Sequence, residues 1–442
     1  MAYPVINRCL VPLLLGLVLQ PASAETLEQA WSQALGSSRT LKAEARKVDA
    51  ASEQRHAAQA AAGPVVSLQG NWLKLEREPK ARMDLSPLTS GLPLPLRGLL
   101  PGSMEASLSD DQVTLAEARI SLPVYTSGRL THLQDAAQAA EQAAQYGEER
   151  TRQDVKLDVA EAYFNVLRAR DAEQVARELL TSLSAYRRDV GNFYQKGLVA
   201  RGDVLGADVA VADARQKLIA AGQAASVARA AYNRLLGRPF GQPVSLAEVN
   251  YPRERRSLPQ LTGLAENQRP ELAALAAWSS SLEAKAKSVK AEAGPQVGVF
   301  ASYTYLDNRY LVNKGLGAAG VGVTWTPFDS GLTRAKAGSV VAEAEAVKEQ
   351  REDARTLVQL DVQRAVSLEV DAAERLQVAQ TALASANEYL TIQRDRYRNG
   401  LANQTEVLAA ETRRADSQRN LYTARYDHAL AVVRLKRATG EL

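Results

Sequence analysis

Metal-binding and nucleophilic side chains are scarce in this 442-residue chain, and they are badly spaced for chemistry. His56, His132 and His428 stand far apart, each without a second ligand at metal spacing, and each reads as a lone surface histidine. The one cysteine is Cys9. Ser127-Gly128 and Ser330-Gly331 are Ser-Gly turns without the flanking glycine pattern of a nucleophile elbow. No glycine-rich loop follows a strand to cradle a phosphate. Lys and Arg (54) nearly balance Asp and Glu (50) and are interspersed with them along helix faces, so nucleic-acid binding is not indicated. These residues support neither an enzyme nor a cofactor or metal site.

The first 24 residues read as an export signal: Arg8, an apolar stretch from Leu10 to Val18, then Ala22-Ser23-Ala24 before Glu25. Cys9 precedes that apolar stretch, so it is not placed to become a lipidated N-terminus, and the mature chain has no cysteine to form a disulfide. Nothing after residue 24 approaches 18 continuous apolar residues, which excludes a transmembrane helix on length.

What positions the remaining candidates is a duplication. Residues 124–238 and 328–442 are proline-free runs of 115 residues each, and a shift of 203 positions aligns them without a gap. Ser127-Gly128 falls on Ser330-Gly331, Tyr194-x-x-Gly197-Leu198 on Tyr397-x-x-Gly400-Leu401, and Gly237 on Gly440. A period that long is a duplicated domain-sized unit, not a solenoid repeat.

Each run opens on a turn, Tyr125-Thr126-Ser127-Gly128 or Phe328-Asp329-Ser330-Gly331, and continues as strong helix formers to about Phe193 or Arg396. Such a helix is roughly 100 Å long and needs neighbours along its length. Ala172, Ala176, Leu179, Leu183, Tyr186, Val190 and Phe193 repeat in 4-3 spacing, offset from an earlier run at Val155, Val159, Ala162, Val166 and Ala169. Leu376, Ala379, Leu383, Ala386 and Leu390 continue the pattern in the second copy. That spacing predicts coiled-coil seams, locally overwound where a residue is dropped. Gly197 and Gly400 stand where a left-handed cap ends the helix. Asn403-x-x-Glu406 reads as a reciprocal capping pair starting the return helix, with a weaker Ala200-x-x-Asp203 in the first copy.

Shorter helices are expected over Leu27–Leu35, Arg39–Ala62 and from Arg269-Pro270 to Gly294-Pro295. Two strand-like segments per copy alternate with period two: Val66 to Trp72, Ala116 to Leu122, Val297 to Tyr305 and Val321 to Trp325. In an exported chain this fits a membrane barrel that is apolar outside and wet inside. A soluble half-buried sheet shows the same alternation. Four strands cannot close a barrel, so transmembrane strands here require several chains to share one. Residues from about Pro79 to Asp111 read as a long loop, those around Asn308 to Leu316 as a short one.

Together these features resemble the TolC-like outer-membrane efflux protein family. The carriers are the strand pair after Pro64, the two Ser-Gly turns, the Tyr-x-x-Gly-Leu tips, and Asp203-Val-Leu and Glu406-Val-Leu after them, in order and twice. The resemblance implies a mainly helical chain with a barrel part. Three protomers would give four strands each to a 12-stranded barrel, with helices forming a periplasmic tunnel. It implies a passive exit duct in a tripartite efflux pump or type I secretion system, with outer-membrane lipid, a periplasmic adaptor and an inner-membrane transporter as partners. By the same resemblance Lys196, Gly197, Leu198, Asn399, Gly400 and Leu401 are adaptor-docking tips. Glu406 matches the first acid of a constricting ring, whereas the second position is Ala409. Asp203, Tyr397, Arg394 and Arg398 are candidates for holding the tip closed.

The expected organisation is a signal at 1–24, a first repeat at 25–238, a linker at 239–262 and a second repeat at 263–442. The competing class is a periplasmic coiled-coil adaptor or structural protein without a membrane span. An adaptor carries one helical hairpin flanked by small β-domains, whereas two hairpins are written here.

Overall fold

A computed structural model describes residues 24–97 and 99–442; the expected signal lies, up to Ser23, outside the described residues. The order of elements is α1 (Leu27–Ser37), α2 (Arg39–Ala60), β1 (Val65–Lys74), β2 (Lys80–Asp84), α3 (Ser86–Thr89), α4 (Leu94–Arg97), β3 (Ser103–Ser107), β4 (Gln112–Tyr125), α5 (Arg129–Gln195) and α6 (Arg201–Leu235). The second half runs α7 (Leu258–Gln268), α8 (Pro270–Ala291), β5 (Gln296–Asp307), β6 (Gly315–Thr324), α9 (Leu332–Arg398) and α10 (Gln404–Thr439).

The duplication is visible in the backbone. Ser127, Gly128, Gly197 and Gly237 have positive φ, and so do Ser330, Gly331, Gly400 and Gly440, the residues 203 positions on. A left-handed serine costs more than a left-handed glycine. Ser127 is held there by donating its Oγ to the Pro295 carbonyl at 2.8 Å. In the second copy Asp329 caps instead, accepting the N–H groups of Gly331 and Thr333 at 3.0 and 2.8 Å. The Thr333 side chain, together with those backbone bonds, holds the Asp329 carboxyl below its usual pKa. The two long helices, α5 and α9, each have 67 residues.

The chain divides into two compact units. One takes the described residues up to Lys42 with Arg150–Arg269 and Leu357–Leu442. Its core gathers Leu27, Val159, Phe164, Leu167, Leu236 and Val433 around Tyr163, Tyr232 and Tyr426. The segment that joins the two copies belongs to this core, since Leu246 is buried in it and Val244, Val249 and Tyr251 pack against it. The segment's far end is held by charge: Arg256 bridges Glu254 and Glu441, both at 2.8 Å. Donation from Arg256 brings the Glu254 carboxyl down to about 2. Leu179, Leu183, Tyr186 and Val190 of the expected seam are buried, as are Val159 and Val166 of the earlier run. In the second copy Leu390 is buried, while Leu376, Ala379, Leu383 and Ala386 are half-buried.

The other unit takes Ala43–Glu149 and Pro270–Thr356 and contains the strands. Four of them form one antiparallel sheet in the order β1-β4-β5-β6. Register places Val66, Ile120, Ala301 and Ala319 in one row, and Leu68, Ala118, Tyr303 and Gly317 in the next on the same side. The opposite side carries the row Ser67, Arg119, Ser302, Ala318 and the row Gln69, Glu117, Thr304, Leu316. The sheet thus has an apolar and a largely polar face, and its apolar side chains are bare: Leu68 is 82% exposed, and Val66, Trp72, Tyr303, Val321 and Val323 are exposed as well.

The stretch expected to be a long loop is more ordered than that. Between β1 and β4 it folds into a second, two-stranded ribbon, β2 with β3, with α3 and α4 at its turn. Strand pairing satisfies backbone groups that an extended loop would leave to water. The period-two signal is hidden there because each strand has only five residues. The ribbon's base is tied by Arg309, 2.7 Å from Asp110, and by Asn308, which donates to the Leu108 carbonyl at 2.8 Å.

Candidate site at the hairpin tips

Both tips close by the same local geometry. The Leu198 N–H reaches back to the Phe193 carbonyl at 2.9 Å and the Gly197 N–H to Tyr194 at 2.9 Å. In the second copy Leu401 bonds Arg396 at 2.8 Å and Gly400 bonds Tyr397 at 3.0 Å. This double closure requires a left-handed residue, and both glycines have φ of +72°. The leucine after each glycine is thrust into solvent, 68% exposed in both copies. Lys196 and Asn399 are exposed beside them, with Asn399 donating its side-chain amide to the Asp395 carbonyl at 2.9 Å.

The return helices start differently from expectation. The reciprocal pair read at Asn403 and Glu406 is half formed: Asn403 Oδ1 accepts the Glu406 N–H at 3.0 Å, but the Glu406 carboxylate makes no return bond among the described residues. The missing half appears in the first copy, where Asp203 accepts the Ala200 N–H at 3.1 Å. Alanine cannot cap with its side chain and asparagine can, so each copy kept one half of the box. The two starts are joined by Gln404, whose amide donates to the Asp203 carbonyl at 2.7 Å and lies against Gly206, where a Cβ would stand 3.0 Å from it.

Three other candidates converge. Arg394, Tyr397 and Arg398 line one cavity of about 120 Å³ with Ser182, Tyr186, Asp189 and Phe193. The Tyr397 ring packs 5.5 Å from Tyr186 and 6.2 Å from Phe193, centroid to centroid. Both phenol hydroxyls are buried without a hydrogen-bond partner at good geometry, and burial raises both tyrosine pKa values. Arg398 faces outward in an exposed pair with Asp395 at 3.6 Å. Arg394 turns inward. Its guanidinium donates to Glu411 Oε1, from Nε at 2.9 Å and again from a terminal nitrogen, and also contacts Ser182 Oγ. Ser182 in turn donates to the Glu411 carboxylate, 3.1 and 3.0 Å from its two oxygens.

Sequence reading missed Glu411, which is 1% exposed, and Ser182. One signal was available: Arg394 and Glu411 are opposite charges within about two turns of one tip. The structure brings Arg394, Tyr397 and Arg398 together; Asp203 and Glu406, at the helix starts, do not line that cavity, although the Asp203 charge acts on both of its tyrosines. His428 also departs from expectation. It is buried, 3.4 Å from the buried Glu369 carboxylate, because a partner 59 residues away supplies what a surface would otherwise provide. Among the described residues no group of three or more His, Cys, Asp or Glu could hold a metal ion, and no helix is long and apolar enough to cross a membrane.

Two long tip-bearing hairpins and one amphipathic antiparallel sheet, to which each copy gives two strands, define the class: outer-membrane efflux channels of the TolC type. The sequence profile of that class, described as "Outer membrane efflux protein", matches residues 30–238 and 261–441, and the chain belongs to this family. It is 24% identical to the outer membrane protein TolC of Vibrio cholerae serotype O1, over 97% of this chain and 93% of that one. Among solved structures it resembles the outer-membrane channel OprN, with a TM-score of 0.75 at 20% identity, covering 94% of this chain and 90% of the other. It also resembles the CmeC outer membrane channel of Campylobacter jejuni, with a TM-score of 0.75 at 14% identity over 100% and 94%. The family is one of channels, not of enzymes, and it is an outer-membrane family.

Proposed function

We propose that three copies of this chain close one 12-stranded barrel in the outer membrane and that their hairpins form a periplasmic tunnel. The assembly is a passive exit duct, docked to a periplasmic adaptor and fed by an inner-membrane transporter. The observation that carries this reading is the sheet. It has one bare apolar face, a largely polar opposite face and two edges, β1 and β6, that are unpaired among the described residues. A bilayer covers the first, water in a lumen suits the second, and neighbouring copies satisfy the third. A single-hairpin adaptor has no use for such a sheet.

In the same reading residues 1–24 are removed on export, and 25–238 and 263–442 are the two repeats joined by 239–262. Leu198 and Leu401, exposed beside Lys196-Gly197 and Asn399-Gly400, are the contacts offered to the adaptor. Opening is a population shift favoured by adaptor binding, in which the tips move apart. Asp203, Arg394, Tyr397 and Arg398 oppose that movement. Glu406, on the first turn of α10, contributes one carboxylate per copy to the constriction; Ala409 supplies no second. Single-channel recording of the purified protein tests this assignment: Glu406→Ala should weaken block by divalent cations. Channels of unaltered conductance and block would remove Glu406 from the gate.

A further inference from the structure

The polar face of the sheet carries a feature that neither barrel closure nor tip gating uses. Arg119 on β4 and Phe300 on β5 are diagonal neighbours there. Arg119 stands opposite Ser302, and Phe300 stands opposite Ser121. Diagonal pairs lie within reach of long and aromatic side chains. The guanidinium carbon sits 4.7 Å from the centroid of the Phe300 ring, a cation–π stack. The ring itself lies across the next strand, over Gly320, its register partner on β6. A Cβ at residue 320 would stand 3.3 Å from the ring edge, tighter than ordinary contact, so glycine there lets the ring lie flat.

Arg119 is exposed, and no carboxylate lies within ion-pair distance of it among the described residues, although Glu117 shares its face two positions away. An unpaired guanidinium stacked by one face on a phenyl ring keeps its other face and its fork of N–H donors free. The fork matches a carboxylate, and the free face stacks on a planar ring.

We propose that Arg119 and Phe300 form a station on the wall of the barrel that binds aromatic carboxylates on their way out. This rests on the shared-barrel reading, which turns the polar face toward the lumen and sets three such stations at one height. Glu117 opposes the anion from nearby and limits how tightly it is held, as a duct requires if solutes are to leave.

The test is block of single channels by 1-naphthoate added to the barrel side of a planar bilayer containing the full-length protein. Acetate is the control for charge without a ring. The wild-type current is expected to be blocked by naphthoate at lower concentration than by acetate. Arg119→Gln should raise the half-blocking concentration about tenfold, the equivalent of one charge-assisted hydrogen bond. Arg119→Lys, which keeps the charge and loses the fork, should fall between. Glu117→Gln should tighten block, a change in the opposite sense that no general damage to the barrel produces. Normal channels with the same half-blocking concentration in every variant would overturn the station and leave the duct standing. If the folded wild-type protein forms no channels, the duct falls and the station with it.

Discussion

Glu411 is the residue on which the tip's polar packing depends. A carboxylate 1% exposed needs its charge matched, and Arg394 with Ser182 supplies the match. Removing one partner of a buried pair leaves the other uncompensated, at a cost of about 3–5 kcal/mol when both are buried. Arg394 is 38% exposed, so water takes up part of that loss. Arg394→Ala should therefore lower the free energy of local opening at the tip by roughly 2–3 kcal/mol, read by hydrogen exchange of the backbone near Ser182 and Glu411. Glu411→Gln, which keeps a hydrogen-bonding group beside Ser182, should lower it less. Exchange unchanged in Arg394→Ala would show that the pair contributes nothing to closure. Arg394, Tyr397 and Arg398 came forward as candidates only through the family resemblance, which places tip-closing charged and tyrosine groups beside the Gly400 turn. Glu411 and the buried His428 were not legible, because their burial depends on the register between helices far apart in the chain.

At the scale of elements, the helices and tips were written plainly. Proline-free runs of helix formers gave α5, α6, α9 and α10 to within a few residues, and the glycine of each tip follows from the left-handed closure it must adopt. Gly400 and Gly191 separate conformation from space, since a Cβ at either would meet nothing within 4 Å. Gly400→Ala forces alanine to φ +72° and should destabilise the hairpin by about 1–2 kcal/mol. Gly191→Ala, inside α5, should stabilise it by about 0.5–1 kcal/mol. Denaturant midpoints of the two variants in detergent should move in opposite directions; movement in the same direction would contradict the cap. The ribbon of β2 and β3 was illegible because five-residue strands leave too little alternation to detect. The half-formed capping boxes at Asn403 and Asp203 show the complementary limit: residue types allow a bond that the side-chain geometry then declines.

At the scale of the molecule, period-two alternation revealed two-faced strands but not what each face meets. The register resolves which residues share a face, and that yields a prediction. Leu68 and Gln69 are adjacent on β1 and point to opposite sides. Leu68→Lys on the apolar face should cost about 2–4 kcal/mol if that face meets lipid near the middle of the bilayer. It should reduce recovery in the outer-membrane fraction, whereas Gln69→Lys should leave recovery unchanged. Equal recovery of both variants would mean that no lipid covers the Leu68 face.

All of this rests on several chains sharing one barrel, which the detergent-corrected mass of the protein extracted from outer membranes tests most directly. A trimer that dissociates on heating is expected, because the edges of β1 and β6, unpaired among the described residues, can be satisfied in lipid only by neighbouring copies. A monomer recovered from the soluble periplasm would contradict it, and the sheet would then be a soluble one.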